Sequence, residues 1–416
     1  MNCTSTSLLN SSFLPAPPPY TTTTSSLKSP TPILRRVTAK MSLNKPPDPT
    51  SLLTSVTNLL WGPTLPPGLL ISTVRSAWNA TWRLMMSQLA PSDPSDPSLA
   101  YTRPPSRFRA TQIPRQNRTS LHLYVGLPCP WAHRTLIVRA LKGLDAAVPV
   151  SVAAPGSDGS WEFKDDTRDP DTLDPTRDKA NGFKTLKQIY KSRPGGYDGR
   201  STVPMLWDAK NKEVICNESY DIIELFNSGL NDQARNPGLD LSPPHLKSKI
   251  EEWNSIIYPN VNNGVYRCGF AQSQEAYDAA VSDLFNTLDK LEDHLSRFRY
   301  LCGDELTLAD VCLFTTLIRF DLAYNVLFKC TRRKLIEYPN LHAYMRDIYQ
   351  IPKVAETCNF QLIMEGYYKT LFPLNPGGIQ PIIPARSEHQ ELQRPHNRAS
   401  LSLTDAKESP PALSVS

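Results

Sequence analysis

Cys129 is the residue in this chain of 416 residues whose position best suits covalent chemistry. It lies in the segment Gly126-Leu-Pro-Cys-Pro-Trp-Ala-His133, between the end of a predicted strand and the start of a predicted helix. The dipole and the unpaired N–H groups of a helix N-terminus stabilise a thiolate, so we expect a depressed pKa and a nucleophilic sulfur here. An inert turn cysteine is the alternative, and the position alone does not decide between the two.

Two further segments have the composition of peptide-binding sites. Thr202-Val203-Pro204 opens a predicted strand, where a proline withholds a ladder donor. A cis bond there would turn the backbone outward and free Val203 for a bound peptide, although a trans proline is the commoner case. Asn217-Glu218-Ser219 begins a predicted helix, whose hydroxyl and free amides could hold a carboxylate or could simply cap the helix.

The composition excludes several classes of function. The formal charge of +5 is carried by residues 1–47, which have five basic and no acidic side chains, so the rest of the chain is electrically balanced. A nucleic-acid binder needs surplus cations on its folded part, so we predict no nucleic-acid partner. The eight cysteines form no CxxC pair and no zinc-spaced cluster, which predicts no metal and a reducing compartment. The sequence contains no uncharged apolar stretch of about 18 residues, so we predict no membrane-spanning helix.

The N-terminal flank has the composition of a targeting sequence. The first 40 residues contain 15 Ser or Thr, the pair Arg35-Arg36 and no acidic residue. Residues 1–41 are therefore predicted to be an organelle transit peptide, cleaved near Val37–Met41. The scarcity of arginine favours a chloroplast over a mitochondrion. A disordered tail without a targeting role is the alternative.

Residues 42–118 are predicted to be an extension and a linker of unknown function. Within them, apolar residues recur over 65–90 at a spacing typical of a helix packed on the folded body, with a membrane-surface helix as the alternative. Residues 91–118 are rich in proline, serine and arginine and are predicted to be a linker.

Two folded halves follow. Residues 119–235 are predicted to have the order β-α-β-α-β-β-α, because period-two alternation marks strands near 121, 148, 204 and 213. Residues 245–373 are predicted to be helical, from the 3.6-residue periodicity over 245–262, 275–298 and 307–323. Thr307 and Asp310 there form a capping box. The tail 374–416 is predicted to be extended and then disordered.

Several motifs together carry a family resemblance over about residues 104–380. They are Leu-Pro-Cys-Pro-Trp-Ala-His-Arg (127–134), Gly-Arg-Ser-Thr-Val-Pro-Met-Leu-Trp-Asp (199–208), Cys-Asn-Glu-Ser (216–219), Asn-Asn-Gly-Val-Tyr-Arg-Cys-Gly-Phe-Ala (262–271), Arg-Phe-Asp-Leu-Ala-Tyr (319–324) and Arg-Asp-Ile-Tyr-Gln (346–350). With them the chain resembles a glutathione transferase, and more narrowly the Xi class, the glutathionyl-hydroquinone reductases. The resemblance implies an α+β fold, with a thioredoxin-like βαβαββα domain before an all-α domain. The resemblance also implies that the protein forms a homodimer and that it is a plant member of the family, targeted to plastids.

The resemblance also implies roles for particular residues. Cys129 matches the nucleophile and Tyr266 the proton donor or acceptor. The matching substrate-binding residues are Trp161 against glutathione, Arg200, Ser201, Thr202 and Val203 along the tripeptide, Glu218 and Ser219 at its γ-glutamyl end, and Tyr324 and Tyr367 in the aromatic pocket. Without the resemblance, the three tyrosines would be taken for core or surface aromatics. The family usually has glycine directly before this tryptophan, whereas here Ser160 lies between Gly159 and Trp161. This difference affects the alignment of Trp161 with the tryptophan of the family.

The implied activity is the reduction of glutathionyl-hydroquinones, aromatic thioethers of glutathione, to free hydroquinones. Glutathione is the co-substrate, and no metal is needed. One alternative is a thiol transferase or dehydroascorbate reductase, which shares Cys129 and the glutathione site but does not need three pocket tyrosines. The other is a non-catalytic binding module on the same fold.

Overall fold

The computed structural model describes residues 67–90, 98–156, 159–165 and 173–403. Its helices are α1 Pro67–Leu89, α2 Pro130–Lys142, α3 Leu186–Ser192, α4 Ser219–Ser228, α5 Lys247–Ile257, α6 Gly264–Gly269, α7 Gln274–Leu295, α8 Leu308–Arg319, α9 Asn325–Leu327, α10 Pro339–Tyr349, α11 Phe360–Tyr368 and α12 His389–Leu392. Its strands are β1 Leu121–Val125, β2 Val150–Val152, β3 Ala154–Pro155, β4 Trp161–Glu162, β5 Met205–Asp208 and β6 Glu213–Cys216. The predicted transit peptide lies outside the described residues. Within the described ranges, no helix is both long and apolar enough to cross a bilayer.

A four-stranded mixed sheet organises the first half, with the strand order β2-β1-β5-β6. β1 and β2 are parallel, whereas β1–β5 and β5–β6 are antiparallel. The parallel pair requires a crossover, which α2 supplies, and every residue of β1 is buried because both faces of the sheet are covered. The predicted order β-α-β-α-β-β-α and the α+β fold are confirmed. The polar insertion after β2 adds the short β3–β4 ladder, which the sequence analysis did not predict.

The second half is helical, as predicted, but two of its predicted long helices are interrupted. The helix predicted over 245–262 ends at Ile257 and continues as the wider π-helical segment Tyr258–Asn262. Pro259 lies in this segment and cannot donate a backbone hydrogen bond, which breaks the regular ladder. A second π-helical segment, Phe320–Tyr324, follows α8. Such segments often occur beside functional sites.

The predicted capping box at the start of α8 is confirmed and forms part of a larger buried network. The Asp310 carboxylate accepts hydrogen bonds from Leu301 N at 2.9 Å, Thr307 N at 2.8 Å, Thr307 Oγ1 at 2.7 Å and Tyr344 Oη at 2.8 Å. Asp310 is fully buried, so water cannot replace a lost partner. One carboxylate therefore links α8, the loop before it and α10.

We expect Asp310→Ala to destabilise the protein by about 3 kcal/mol or more, because it leaves several buried donors without an acceptor. Urea unfolding followed by circular dichroism measures the change as a lower midpoint. Asp293→Ala, at an exposed position of α7, is the matched control and should unfold as the wild type does. Equal midpoints for the two variants would contradict the role assigned to this network.

Helix α1 only partly agrees with its prediction as a packed helix. Met86 is fully buried, and Trp82 Nε1 donates a hydrogen bond to Pro373 O at 3.1 Å, so the last two turns are packed. Val74 and Trp78 are exposed on the first turns. Neither alternative, a packed helix or a surface helix, describes the whole element.

The tail was predicted to be extended and then disordered. Residues 378–384 contain no helix or strand, but the predicted disorder is wrong for residues 389–403. These residues contain α12 and a 3₁₀ segment, Arg398–Leu403. The buried Arg398 side chain donates hydrogen bonds to Leu295 O at 2.8 Å, Phe298 O at 2.6 Å and Arg299 O at 2.8 Å. The composition of the segment suggested disorder, but these contacts with the end of α7 fix it. Residues 404–416 lie outside the described part of the chain.

Candidate active site

Cys129 is the N-cap residue of α2, as the sequence predicted. Its backbone is extended, with φ −75° and ψ 116°, and Pro130 fills the first helical position. Cys129 N donates to Gly126 O at 3.0 Å, and His133 N donates to Cys129 O at 3.1 Å. The half-buried thiol lies 3.5 Å from Val203 O, so the sulfur faces the segment that precedes β5.

The expectation that the Cys129 thiol has a depressed pKa is wrong for the free protein. Burial raises its pKa above the ordinary thiol value. The N–H groups of Ala132 and Trp131 and the charges of Arg103 and Arg319 all lower the pKa, but burial is the largest effect. The helix N-terminus therefore acts as predicted, and desolvation outweighs it. Burial therefore favours the neutral thiol at Cys129 in the free protein.

A cavity of about 520 Å³, here called the polar cavity, lies between β5, α4 and the residues before β1. Of the predicted glutathione-binding residues, its lining includes Arg200, Thr202, Val203, Glu218 and Ser219. The Val203–Pro204 peptide bond in this wall is cis, which the sequence left open. Ser201 does not line the polar cavity.

Glu218 and Ser219 form the acidic end of the polar cavity. Glu218 caps α4 by accepting from Tyr220 N, and its carboxylate also accepts from Ser106 Oγ at 2.8 Å. The buried Ser219 hydroxyl lies 3.3 Å from the same carboxylate and accepts from Arg134 Nη1 at 3.4 Å. One carboxylate, one hydroxyl and the N-terminus of α4 thus converge at this end of the cavity.

The segment before β1 contributes residues that the sequence analysis missed. Arg103 and Arg107 line the polar cavity, and the Arg103 guanidinium lies 4.1 Å from the centre of the Trp131 ring. Arg134 covers the same ring at 4.3 Å. The composition of residues 91–118 indicated only a linker. Its described part instead gives the lining of the polar cavity two cations, in addition to the carboxylate of Glu218.

A second cavity of about 290 Å³, here called the aromatic cavity, adjoins the first. Its lining includes Cys129, Trp161, Tyr266, Phe270 and Tyr367. The two cavities share Arg103, Trp131, Arg200, Thr202 and Val203. Cys129 lines only the aromatic cavity, but its sulfur lies 3.5 Å from the carbonyl oxygen of the shared residue Val203, so it lies close to the junction of the two cavities. Leu89, the last residue of α1, also reaches this cavity.

Trp161 is held against the loop that carries Cys129. A β-carbon on Gly126 would collide with the six-membered part of the Trp161 indole, so only glycine allows this approach. The extra residue Ser160 does not displace the tryptophan, which still lines the aromatic cavity. The ring thereby forms a wall beside the sulfur.

Three phenol groups form one hydrogen-bonded chain at the back of the aromatic cavity. The hydroxyls of Tyr266 and Tyr367 are 2.8 Å apart, and those of Tyr367 and Tyr324 are also 2.8 Å apart. Burial raises the pKa of all three tyrosines, and ionisation of Cys129 raises the pKa of Tyr266 and Tyr324 further. All three are therefore neutral proton donors at neutral pH. Tyr324 is fully buried and lies behind Tyr367 rather than in the cavity wall, where it was predicted.

Within the part of the chain that the structure describes, no group of three or more His, Cys, Asp or Glu side chains could hold a metal ion. The site therefore offers a sulfur nucleophile, phenolic acids and a charged peptide-sized cavity. These groups suit thiol–disulfide and thioether chemistry.

Two domain families match the two halves of the structure. Residues 128–228 match the glutathione S-transferase N-terminal domain, and residues 274–347 match the glutathione S-transferase C-terminal domain. The first range contains Cys129 and the polar cavity walls after it. The second contains α7, α8 and most of α10.

Characterised relatives match over both halves. The chain is 46% identical to the glutathionyl-hydroquinone reductase YqjG of Escherichia coli, over 67% of this chain and 82% of YqjG. It is 43% identical to the glutathionyl-hydroquinone reductase PcpF of Sphingobium chlorophenolicum, over 64% and 83% of the two chains. The structure superposes on the Xi-class glutathione S-transferase of Phanerochaete chrysosporium with a TM-score of 0.66 and 40% identity, over 70% and 95% of the two chains. The chain therefore belongs to the Xi-class glutathione S-transferases, the glutathionyl-hydroquinone reductase family.

Proposed function

We propose that this protein reduces glutathionyl-hydroquinones to free hydroquinones with glutathione as the co-substrate. The observation that carries the proposal is the position of Cys129, close to the junction of a charged, peptide-sized cavity and a cavity backed by three linked phenols. A substrate that joins a tripeptide to an aromatic ring through sulfur would place that sulfur at this junction. The relatives YqjG and PcpF, both named for this activity, support the same reaction.

The polar cavity would hold the tripeptide part of the substrate by its charges. Glu218 suits the ammonium group of the γ-glutamyl residue, while Ser219 and the amides at the start of α4 suit its carboxylate. The main chain of Val203 would pair with the cysteinyl part, and Arg200 with a carboxylate. Trp161 would lie against the peptide and direct its sulfur towards Cys129.

In the first half-reaction, the O–H group of Tyr266 protonates the ring carbon that bears sulfur and produces a dienone-like tautomer. The Cys129 thiolate then attacks the sulfur of the glutathionyl group, and a new S–S bond forms. The carbon–sulfur bond breaks, and its electron pair moves into the ring, which becomes the aromatic hydroquinone. The enzyme is left as a Cys129–glutathione mixed disulfide.

In the second half-reaction, the thiolate of another glutathione attacks the glutathione sulfur of this mixed disulfide. The products are oxidised glutathione and the Cys129 thiolate. Two glutathione sulfurs are thereby oxidised to a disulfide, while the ring carbon is reduced. The scheme needs no resolving cysteine, in agreement with a sequence that has no CxxC pair.

Steady-state assays of the full chain test the proposed function. A panel of glutathionyl-aromatics is compared with a glutathione mixed disulfide, and the release of hydroquinone and oxidised glutathione is measured. Turnover on the thioethers supports the proposal. Turnover on the mixed disulfide alone would show a thiol transferase, and glutathione binding without any turnover would show a binding module.

Ser219→Ala is expected to weaken glutathione binding about tenfold, because one buried hydroxyl hydrogen bond contributes about 1 to 1.5 kcal/mol. The turnover number at saturating glutathione should change little, since the hydroxyl is remote from the sulfur. Titration calorimetry measures the affinity. Ser228→Ala, at the exposed far end of the same helix, is the control. Equal glutathione affinities for the wild type, Ser219→Ala and Ser228→Ala would show that Ser219 does not contribute to glutathione binding.

We also propose that residues 1–41 direct the protein to the chloroplast. The Ser/Thr-rich, acid-free composition of this segment supports the proposal. Full-length protein with a C-terminal fluorescent tag should accumulate in plastids, and removal of residues 2–41 should abolish that accumulation. Mitochondrial fluorescence of the full-length protein would overturn the proposal.

A homodimer is proposed on the family resemblance, and sedimentation equilibrium of the full chain tests it.

A further inference from the structure

Arg319 is a fully buried arginine that no step of the proposed reaction uses. It ends α8, and its guanidinium reaches from the helical half to the loop that carries Cys129. Nη2 donates to Leu127 O at 2.8 Å and Nε donates to Pro128 O at 3.2 Å. Nη1 donates to Thr315 O at 2.9 Å and lies 2.9 Å from His133 Nδ1. A planar guanidinium suits this role because its donors have a fixed geometry.

Every acceptor of this guanidinium is electrically neutral. No carboxylate among the described residues lies within the 4.0 Å ion-pair distance of Arg319. His133 adds no charge of its own, because burial and Arg319 together lower its pKa well below the ordinary value and keep the imidazole neutral. The neutral imidazole accepts from Arg319 through Nδ1 and pairs with Thr357 Oγ1 through Nε2 at 2.8 Å. A buried cation without a counterion costs several kcal/mol, so an anion nearby would be strongly stabilised.

Two thiols lie near this cation. The charge of Arg319 also lowers the pKa of Cys358, whose sulfur is 3.8 Å from His133 Nε2, but burial raises that pKa to about 12, so Cys358 stays neutral. The anion is therefore the sulfur of Cys129. Arg103 and Arg319 each lower the pKa of Cys129 through their positive charge. The phenols Tyr266, Tyr324 and Tyr367 face the same space, and burial keeps them neutral by raising their pKa values. Arg200 also lines the aromatic cavity, whereas Glu218 lines only the polar one.

We infer that Arg319 is a positioning residue that clamps the Leu127 and Pro128 carbonyls and supplies the countercharge of the Cys129 thiolate. The inference rests on the proposed function, in which this thiolate occurs twice. It is the nucleophile that forms the bond to glutathione sulfur, and it is the leaving group when a second glutathione thiolate forms oxidised glutathione. In both steps the negative charge resides on Cys129 sulfur, next to a loop that Arg319 holds. The guanidinium thus stabilises the same species on both sides of the catalytic cycle.

The pH dependence of Cys129 alkylation by iodoacetamide tests the inference without any substrate. Mass spectrometry of the peptide that contains Cys129 follows the rate from pH 6 to above pH 10 in the full chain. Loss of the cation in Arg319→Gln should move the midpoint to higher pH, and should slow alkylation at pH 7.5 about tenfold or more. Arg319→Lys keeps the positive charge but loses the planar set of guanidinium donors. The midpoint of its alkylation profile should therefore stay close to wild type, while its turnover falls about tenfold.

Arg398→Gln is the matched control, because Arg398 is another buried guanidinium that donates to three backbone carbonyls. It should lower stability and leave the alkylation profile unchanged. A wild-type profile for Arg319→Gln, or an equal shift for Arg319→Lys, would overturn the countercharge. If circular dichroism shows that Arg319→Gln does not fold, the test rests on Arg319→Lys. Wild-type turnover of Arg319→Lys would overturn the proposal that Arg319 clamps the Leu127 and Pro128 carbonyls. Failure of the proposed function would appear separately, as a wild-type protein without reductase turnover.

Discussion

Cys129→Ala is expected to abolish reductase turnover, with a loss of about 10³-fold or more, because it removes the half-buried thiol that forms the mixed disulfide. The substitution should also remove the glutathione adduct that oxidised glutathione forms on the protein. The other described cysteines are buried, so they are not accessible to oxidised glutathione. Intact-protein mass spectrometry after treatment with oxidised glutathione measures the adduct, and steady-state assays measure turnover.

Cys216→Ala is the matched control for this experiment. Cys216 lies next to the polar cavity, but it is fully buried, and burial raises its pKa to about 12. Its removal should leave both the adduct and the turnover intact. A glutathione adduct that persists in Cys129→Ala and disappears in Cys216→Ala would show that Cys216, and not Cys129, is the reactive thiol. Undiminished turnover of Cys129→Ala would overturn the mechanism as a whole.

Local sequence patterns sufficed for the elements that present the reactive sulfur. The alternation in β1, the turn at Gly126 and Pro130 at the helix start are each encoded within a few residues, and each is present as predicted. The capping box of α8 is local in the same sense. The order of strands and helices followed from these signals because each depends on neighbours in the chain.

Properties that depend on distant parts of the chain could not be predicted in this way. The dipole argument at Cys129 considered one helix, but the burial that raises its pKa comes from the whole surrounding structure. Arg103 belongs to a segment whose composition indicated a linker, and only its packing on Trp131 places it in the site. Arg319 lies almost two hundred residues from the carbonyls that it binds. No periodicity or spacing rule connects positions so far apart.

The position of Tyr324 illustrates the same limit within the aromatic cavity. The family resemblance supplied the three tyrosines as a set, with equal places in the pocket wall. In the structure, Tyr266 and Tyr367 both line the cavity, the Tyr367 hydroxyl lies between the other two, and Tyr324 is at the buried end. The order matters for chemistry, because a proton that leaves Tyr266 can be replaced through Tyr367 only if the chain is intact.

Tyr266→Phe is expected to lower the turnover number about 10²-fold, which is the usual contribution of a positioned general acid. Glutathione affinity should stay close to wild type, since Tyr266 lines the aromatic cavity and not the polar one. Because burial raises the pKa of Tyr266 well above its ordinary value, the acid stays protonated across the neutral range. Its ionisation should therefore not limit wild-type turnover at neutral pH. Steady-state kinetics on a glutathionyl-hydroquinone and calorimetry with glutathione measure the two quantities.

Two further variants separate the proton-transfer role from packing. Tyr324→Phe removes only the buried end of the hydroxyl chain, so its loss of turnover should be smaller than that of Tyr266→Phe. Tyr277→Phe removes a hydrogen bond of 2.7 Å to Lys329 O at a site on α7 outside the aromatic cavity, and should leave turnover unchanged. Wild-type turnover in Tyr266→Phe would remove this residue from proton transfer. Equal losses for Tyr266→Phe and Tyr277→Phe would show that the effect comes from stability, because the two variants share only the loss of a phenol hydroxyl.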